Sequence, residues 1–163
     1  MSGLVGNEEN VSISQRLAQR GLELPEVAAP VAAYIPAKQD GHLVRTSGQL
    51  PFVAGKLPMT GKVGSEVDAE QAKELAAQCA LNAIAAAAAV CGGVERLVGV
   101  SHVTGFVASA PEFTGQPGVI NGASELLADL FGAAGSHTRS AVGVAVLPLD
   151  SPVEVEVTFL VAQ

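Results

Sequence analysis

Arg139 is the residue whose setting points most directly to chemistry. It is the only Lys or Arg from Leu97 to Gln163, a stretch that carries six acids: Glu112, Glu125, Asp129, Asp150, Glu154 and Glu156. Read as a strand, Arg139, Ala141, Gly143 and Ala145 share one face, while Ser140, Val142, Val144 and Val146 share the other. Small residues beside a guanidinium leave room for a carboxylate, which Arg grips through two parallel N–H bonds. The same spacing fits a structural ion pair from Arg139 to Glu154 or Glu156 on the following strand. The residues alone leave both readings open.

Other candidates are individually weaker. Tyr34, the only tyrosine, lies in Ala33-Tyr34-Ile35-Pro36 just before a strand, where a core aromatic with a wet hydroxyl is the default. Ser47-Gly48-Gln49-Leu50-Pro51 ends a strand, and the Gly48 N–H is free to approach a ligand closely; otherwise the segment is only a turn. Asn121 begins a helix, so capping explains it by default. Cys79 and Cys91 stand twelve residues apart on one predicted helix. That separates them by roughly 18 Å, beyond disulfide reach, and both read as small buried hydrophobes. His42, His102 and His137 have no Cys, Asp or Glu at metal-ligand spacing, so no metal site is expected. Gly55 to Lys62 resembles a phosphate loop but has five spacer residues and is followed by Val63. Gly99 to Val103 misses a nucleophile elbow because it ends in Val.

The elements that must position these residues are legible from periodicity. Ser12 to Leu22 predicts a short helix, and Pro25 and Pro30 punctuate the connector after it. Ala33–Ala37 and His42–Ser47 flank Gln39-Asp40-Gly41, a hairpin signal. Gly48 to Gly64 reads as loop. The longest helix starts at Ser65, has Asp68 and Glu70 near its positive end, and stops at Gly92-Gly93. Leu97–Val107 reads as a strand, Ile120–Phe131 as a helix and Ser140–Leu147 as a strand. Val153, Val155, Val157, Phe159 and Val161 then alternate with Glu154, Glu156 and Thr158 in a last strand. The order β-β-α-β-α-β-β predicts an α+β fold with both helices on one face of the sheet. The other face is left to solvent or to another subunit.

Composition bounds the function. The chain has 163 residues, 48% of them hydrophobic and 15% charged, enough for one core without staples. A net charge of −7 argues against nucleic acid, which needs clustered cations. Residues 1–10 read as frayed. Met1 to Ser14 carries Glu8 and Glu9, no basic residue and no apolar core, so a cytoplasmic protein is expected. Leu75 to Val94 is uncharged and long enough to span a membrane, but it is mostly Ala, and no membrane segment is expected.

Taken in order, these residues resemble the RidA family, also called YjgF/YER057c/UK114. The matching stretches are Tyr34 with Gly41, Thr46-Ser47-Gly48-Gln49-Leu50-Pro51, Asn121, and Arg139-Ser140 with Val142, Leu147-Pro148 and Val153-Glu154-Val155-Glu156. The resemblance spans about residues 30–162. The lead-in Leu24–Ala37 and the run Gly115–Gly122 look like a longer branch often described as chorismate-mutase-like or endoribonuclease. On this division residues 1–29 are an N-terminal extension with a short helix, and 30–163 the RidA-like domain.

The resemblance implies a homotrimer of the chorismate-mutase-like fold, two helices on one face of a mixed sheet, with ligand clefts between subunits. It also implies hydrolysis of enamines and imines such as 2-aminoacrylate to 2-keto acids and ammonia, the 2-iminobutanoate/2-iminopropanoate deaminase type, without a cofactor. In that chemistry Arg139 binds the carboxylate, and Tyr34, Ser47, Gly48 and Asn121 line the cleft. Ala141 contributes a backbone contact and Glu154 positions the water. The sequence departs from the family pattern where a Cys is frequent, which is Ala141, and where a Glu is frequent, which is Gly143. Asn121 aligns only with one residue inserted before Arg139. A non-catalytic binder of small carboxylate metabolites is the alternative. Endoribonuclease activity fits the acidic balance least.

Overall fold

A computed structural model describes residues 11–27, 29 and 33–163. Residues 1–10 and Pro30 lie outside the described residues. Helix α1 (Ile13–Gln19) is capped by Ser12, which accepts from the Gln15 N–H while the Gln15 side chain accepts from the Ser12 N–H. Its Leu17 enters the common core. The Glu95 carboxylate accepts from the Ile13 and Ser14 N–H groups, and Arg20 pairs with Asp129 at 3.1 Å.

Strands β1 (Ala37–Asp40) and β2 (Leu43–Thr46) form a hairpin. The turn is Gly41-His42, one residue later than expected, because Gly41 supplies the positive φ (+60°) of a type II′ turn. Helix α2 (Ala69–Cys91) starts four residues later than predicted. Gly64 to Val67 closes a turn of its own, and Asp68 with Gln71 forms the capping box. Gly92 ends the helix in the left-handed region at φ +95°. α2 is long and apolar enough to cross a membrane, and most of its apolar window is buried inside the protein.

Strand β3 (Leu97–Ala108), helix α3 (Gln116–Phe131), strand β4 (Thr138–Val144) and strand β5 (Val153–Val161) complete the fold. α3 starts four residues earlier than predicted, since Pro117 fits its first turn, where an N–H is not needed. β4 gives out after Val144, leaving Val146 62% exposed. The sheet order is β1-β2-β5-β3-β4, with β3 and β4 parallel and the remaining pairs antiparallel. This is the mixed α+β architecture expected, with β3 inserted between two strands that are consecutive in sequence.

Both long helices lie on one face. Val103 and Val107 of β3 meet Val157 and Val153 of β5 beneath them, all essentially inaccessible. The many alanines of α2 let α3 come close: a Cβ on Gly122 would lie 1.9 Å from the Lys73 carbonyl oxygen. On the opposite face His102, Thr104 and Phe106 of β3 and Glu154, Glu156 and Thr158 of β5 are half-buried. Among the described residues no element covers them.

Candidate functional site

Parallel pairing fixes which way Arg139 points. It stands beside Val103, with Ala141 beside Gly105 and Gly143 beside Val107, so this row faces the helices. There α3 meets the guanidinium with three acceptors. Nη1 donates to Asn121 Oδ1 at 2.8 Å and to Ser124 Oγ at 3.2 Å, and Nη2 donates to the Pro117 carbonyl at 3.3 Å. A guanidinium has five N–H donors, so three bonds leave two for a ligand.

The ion pair from Arg139 to Glu154 or Glu156 does not form. β3 separates β4 from β5, and both carboxylates face the opposite side of the sheet. Glu156 pairs instead with Arg45 at 3.0 Å. Among the described residues Arg139 is in no salt bridge.

Asn121 is not a helix cap. It is the sixth residue of α3, and its side chain is an acceptor for Arg139. Ser124, one turn on, was missed by sequence reasoning, although i, i+3 spacing from Asn121 would reveal it once the helix start is known. His137, considered only as a metal ligand, joins the same cluster through Ser124 at 2.9 Å.

A second group gathers around Glu154 on the far face. Gln49 pairs with Val155 through two backbone hydrogen bonds of 2.8 and 3.0 Å, which brings the Ser47-Gly48 segment across β5. The Glu154 carboxylate rests against Gly48, where a Cβ would lie 1.9 Å from Oε1. That approach needs glycine. Burial first, and then the neighbouring Glu156 carboxylate, raise the Glu154 carboxyl above its ordinary value. Ser47 is held by its own bonds, Oγ to the Ile35 carbonyl at 2.7 Å and N–H to the Pro36 carbonyl at 2.8 Å. Tyr34, a core aromatic by default and a cleft residue by the family resemblance, is 45% exposed beside an Ile35 that is 59% exposed, so the core placement does not hold.

The structure therefore divides the candidate residues into two groups on opposite faces of the sheet. Arg139, Ala141 and Asn121 share the helix-facing side at the β4 edge. Glu154, Gly48 and Ser47 share the open side, with Tyr34 joined to them through Ile35. A cavity of about 470 Å³ near Gln49, Phe52 and Asn82 includes neither Arg139 nor Glu154 in its lining. Cys79 is fully buried, with its thiol pushed well up by burial, whereas Cys91 is only partly buried. Among the described residues no three His, Cys, Asp or Glu side chains cluster as metal ligands.

The family model described as "YjgF/chorismate-mutase-like, putative endoribonuclease" matches residues 14–162. The chain is 37% identical to "Protein TCP17" of Trypanosoma cruzi, over 88% of this chain and 91% of that protein. It is similar to the crystal structure of Atu1372, of unknown function, from Agrobacterium tumefaciens, at 41% identity and a TM-score of 0.85 over 92% of this chain and 93% of that one. It is also similar to the crystal structure of a "putative endoribonuclease" from Shewanella oneidensis MR-1, at 33% identity and a TM-score of 0.88 over 92% and 99% of the two chains.

Proposed function

The chain belongs to the YjgF/chorismate-mutase-like family, and we propose that it hydrolyses carboxylate-bearing enamines and imines of the 2-aminoacrylate type. The observation that carries this reading is Arg139. Among the described residues it is a cation without an ion pair, tethered by three hydrogen bonds, on a strand row whose next members are Ala141 and Gly143. Such a guanidinium keeps two N–H donors for a substrate carboxylate.

The chemistry asks for orientation and a proton acceptor rather than a strong nucleophile. The enamine tautomerises to the imine, and water adds to the imine carbon. The resulting carbinolamine breaks its C–N bond. One water is consumed, and one 2-keto acid and one ammonia leave. Glu154 takes the proton of the attacking water and returns it to the departing nitrogen. Its raised pKa moves it toward neutrality, where a carboxylate is a better general base.

Arg139 and Glu154 of one chain lie on opposite faces of the sheet, so no single substrate reaches both in one subunit. This supports a cleft shared between copies of the chain, as in a homotrimer, with Tyr34, Ser47, Gly48 and Asn121 along its walls. A second reading, a carboxylate binder without turnover, is favoured by the same separation, since the Arg139 grip stands without Glu154.

Freshly generated 2-aminoacrylate supplied to wild type and to Arg139→Ala, with ammonia release measured, tests the proposal. Wild type is expected to exceed the no-protein rate and the variant to fall to it. Equal rates at background would sink the hydrolase. Pyruvate binding that is lost in the variant, with no turnover by wild type, would select the binder.

A further inference from the structure

The half-buried Arg139 guanidinium is held by polar tethers from α3 and, among the described residues, by no ion pair. One of them extends beyond Arg139. The His137 Nδ1 lies 2.6 Å from the Gly135 carbonyl, which can only accept, so Nδ1 carries the hydrogen. In the neutral ring Nε2 is then an acceptor, and it lies 2.9 Å from Ser124 Oγ. The Ser124 hydroxyl therefore donates to His137 and keeps its lone pairs for the Arg139 Nη1 at 3.2 Å.

The result is a chain of one polarity: Arg139 to Ser124 to His137 to the Gly135 carbonyl. Its end is buried and closely packed: Gly135 is buried, and a Cβ there would come 2.7 Å from the Leu127 carbonyl oxygen. We infer that Ser124 and His137 are positioning residues that aim the Arg139 guanidinium at the substrate carboxylate. His137 fixes the direction of the Ser124 hydroxyl, and Ser124 with Asn121 occupies both N–H groups of Nη1. The two remaining donors are thereby held for the ligand. The inference rests on the carboxylate-gripping role proposed for Arg139.

Pyruvate, the product-like 2-keto acid, is the probe. Its dissociation constant is measured by titration calorimetry for wild type, Arg139→Ala, Ser124→Ala, His137→Leu and His137→Gln, alongside steady-state ammonia release and melting temperature. An Arg contact formed equally with substrate and transition state changes KM and leaves kcat. Ser124→Ala and His137→Leu are therefore expected to weaken pyruvate binding and raise KM about five- to tenfold. Their kcat should stay within twofold of wild type. His137→Gln keeps an acceptor for the Ser124 hydroxyl and should bind within twofold of wild type.

If Arg139→Ala abolishes binding while Ser124→Ala binds like wild type, the positioning role is wrong. Equal damage from His137→Gln and His137→Leu, tracking melting temperature, would reduce His137 to packing and overturn its part. Wild type that binds pyruvate but releases no ammonia would remove the hydrolase alone, and the binding constants would still decide the relay. Wild type that neither binds nor turns over would remove both.

Discussion

Substituting Gly48 with Ala separates the roles of the two groups of candidate residues. A Cβ at Gly48 would sit 1.9 Å from Oε1 of Glu154, 2.7 Å from its Cδ and 3.0 Å from its Cγ. Comfortable contact needs about 3.5 Å, so the carboxylate must retreat by roughly 1.6 Å. A water held at hydrogen-bond distance from that carboxylate moves out of line, and an error of about 1 Å is worth on the order of 100-fold in rate. The expected result is a kcat lowered about 100-fold, or about 2.7 kcal/mol of barrier. KM should stay within about threefold, because the displaced Glu154 carboxylate takes no part in the hydrogen bonds that hold the Arg139 guanidinium. Glu154 ends in a flexible, half-buried side chain, so the stability cost is about 1 kcal/mol, the scale of one displaced rotamer. For a chain of this size that lowers Tm by about 2–4 °C. Ammonia release from 2-aminoacrylate gives kcat and KM, and calorimetry gives Tm. A kcat within threefold of wild type would show that the carboxylate seated on Gly48 does not hold the reacting water.

Two further expectations concern stability. Gly122→Ala puts a methyl 1.9 Å from the Lys73 carbonyl oxygen, a backbone atom inside α2 that cannot swing aside. The helices must part, at about 3 kcal/mol and a Tm drop of about 6–12 °C, read by thermal or denaturant melts; an unchanged melt would contradict the close α2–α3 approach. Glu154→Gln tests the raised pKa. A carboxyl whose pKa is higher folded than unfolded opposes folding once it is ionised. That cost is full above the folded value, fades as pH falls through it, and is gone below the unfolded value of about 4.3. The Gln variant should therefore be more stable than wild type near pH 7 and equal to it near pH 4 in urea melts. A variant no more stable at pH 7 would contradict the burial penalty.

Sequence patterns revealed the fold wherever the signal is local. The alternation from Val153 to Val161 predicts the buried row of β5 without knowledge of any partner strand, because the pleat alone sets its period. Gly92-Gly93 marks the end of α2 for an equally local reason. The start of α3 was hidden, since Gly115, Pro117 and Gly118 are poor helix formers, whereas Gly122, inside the predicted helix, is required by the tight seat against α2. That shift turned Asn121 from a cap into a ligand of Arg139. The failed ion pair has a non-local cause. Strands β4 and β5 are consecutive in sequence, and nothing in their residues says that β3 lies between them. The site was thus legible residue by residue through Arg139 and the Ser-Gly-Gln segment. Its division between two faces was not.

Strand β4 is the rim of the sheet, hydrogen-bonded to β3 on one side only within a chain. The other rim, β1, carries Lys38 and Asp40, charges that discourage a stray strand from adding. On β4 the sequence Thr138-Arg139-Ser140-Ala141-Val142-Gly143-Val144 has a single charge, and Val142 is 42% exposed. An inward-pointing cation on a rim strand is a known guard against edge-to-edge association, because a foreign strand that docks must leave it without water. Arg139 is thus also the gatekeeper of the segment most suited to self-association. Any variant that neutralises it leaves a smooth, uncharged edge, and its colloidal behaviour belongs beside its kinetics.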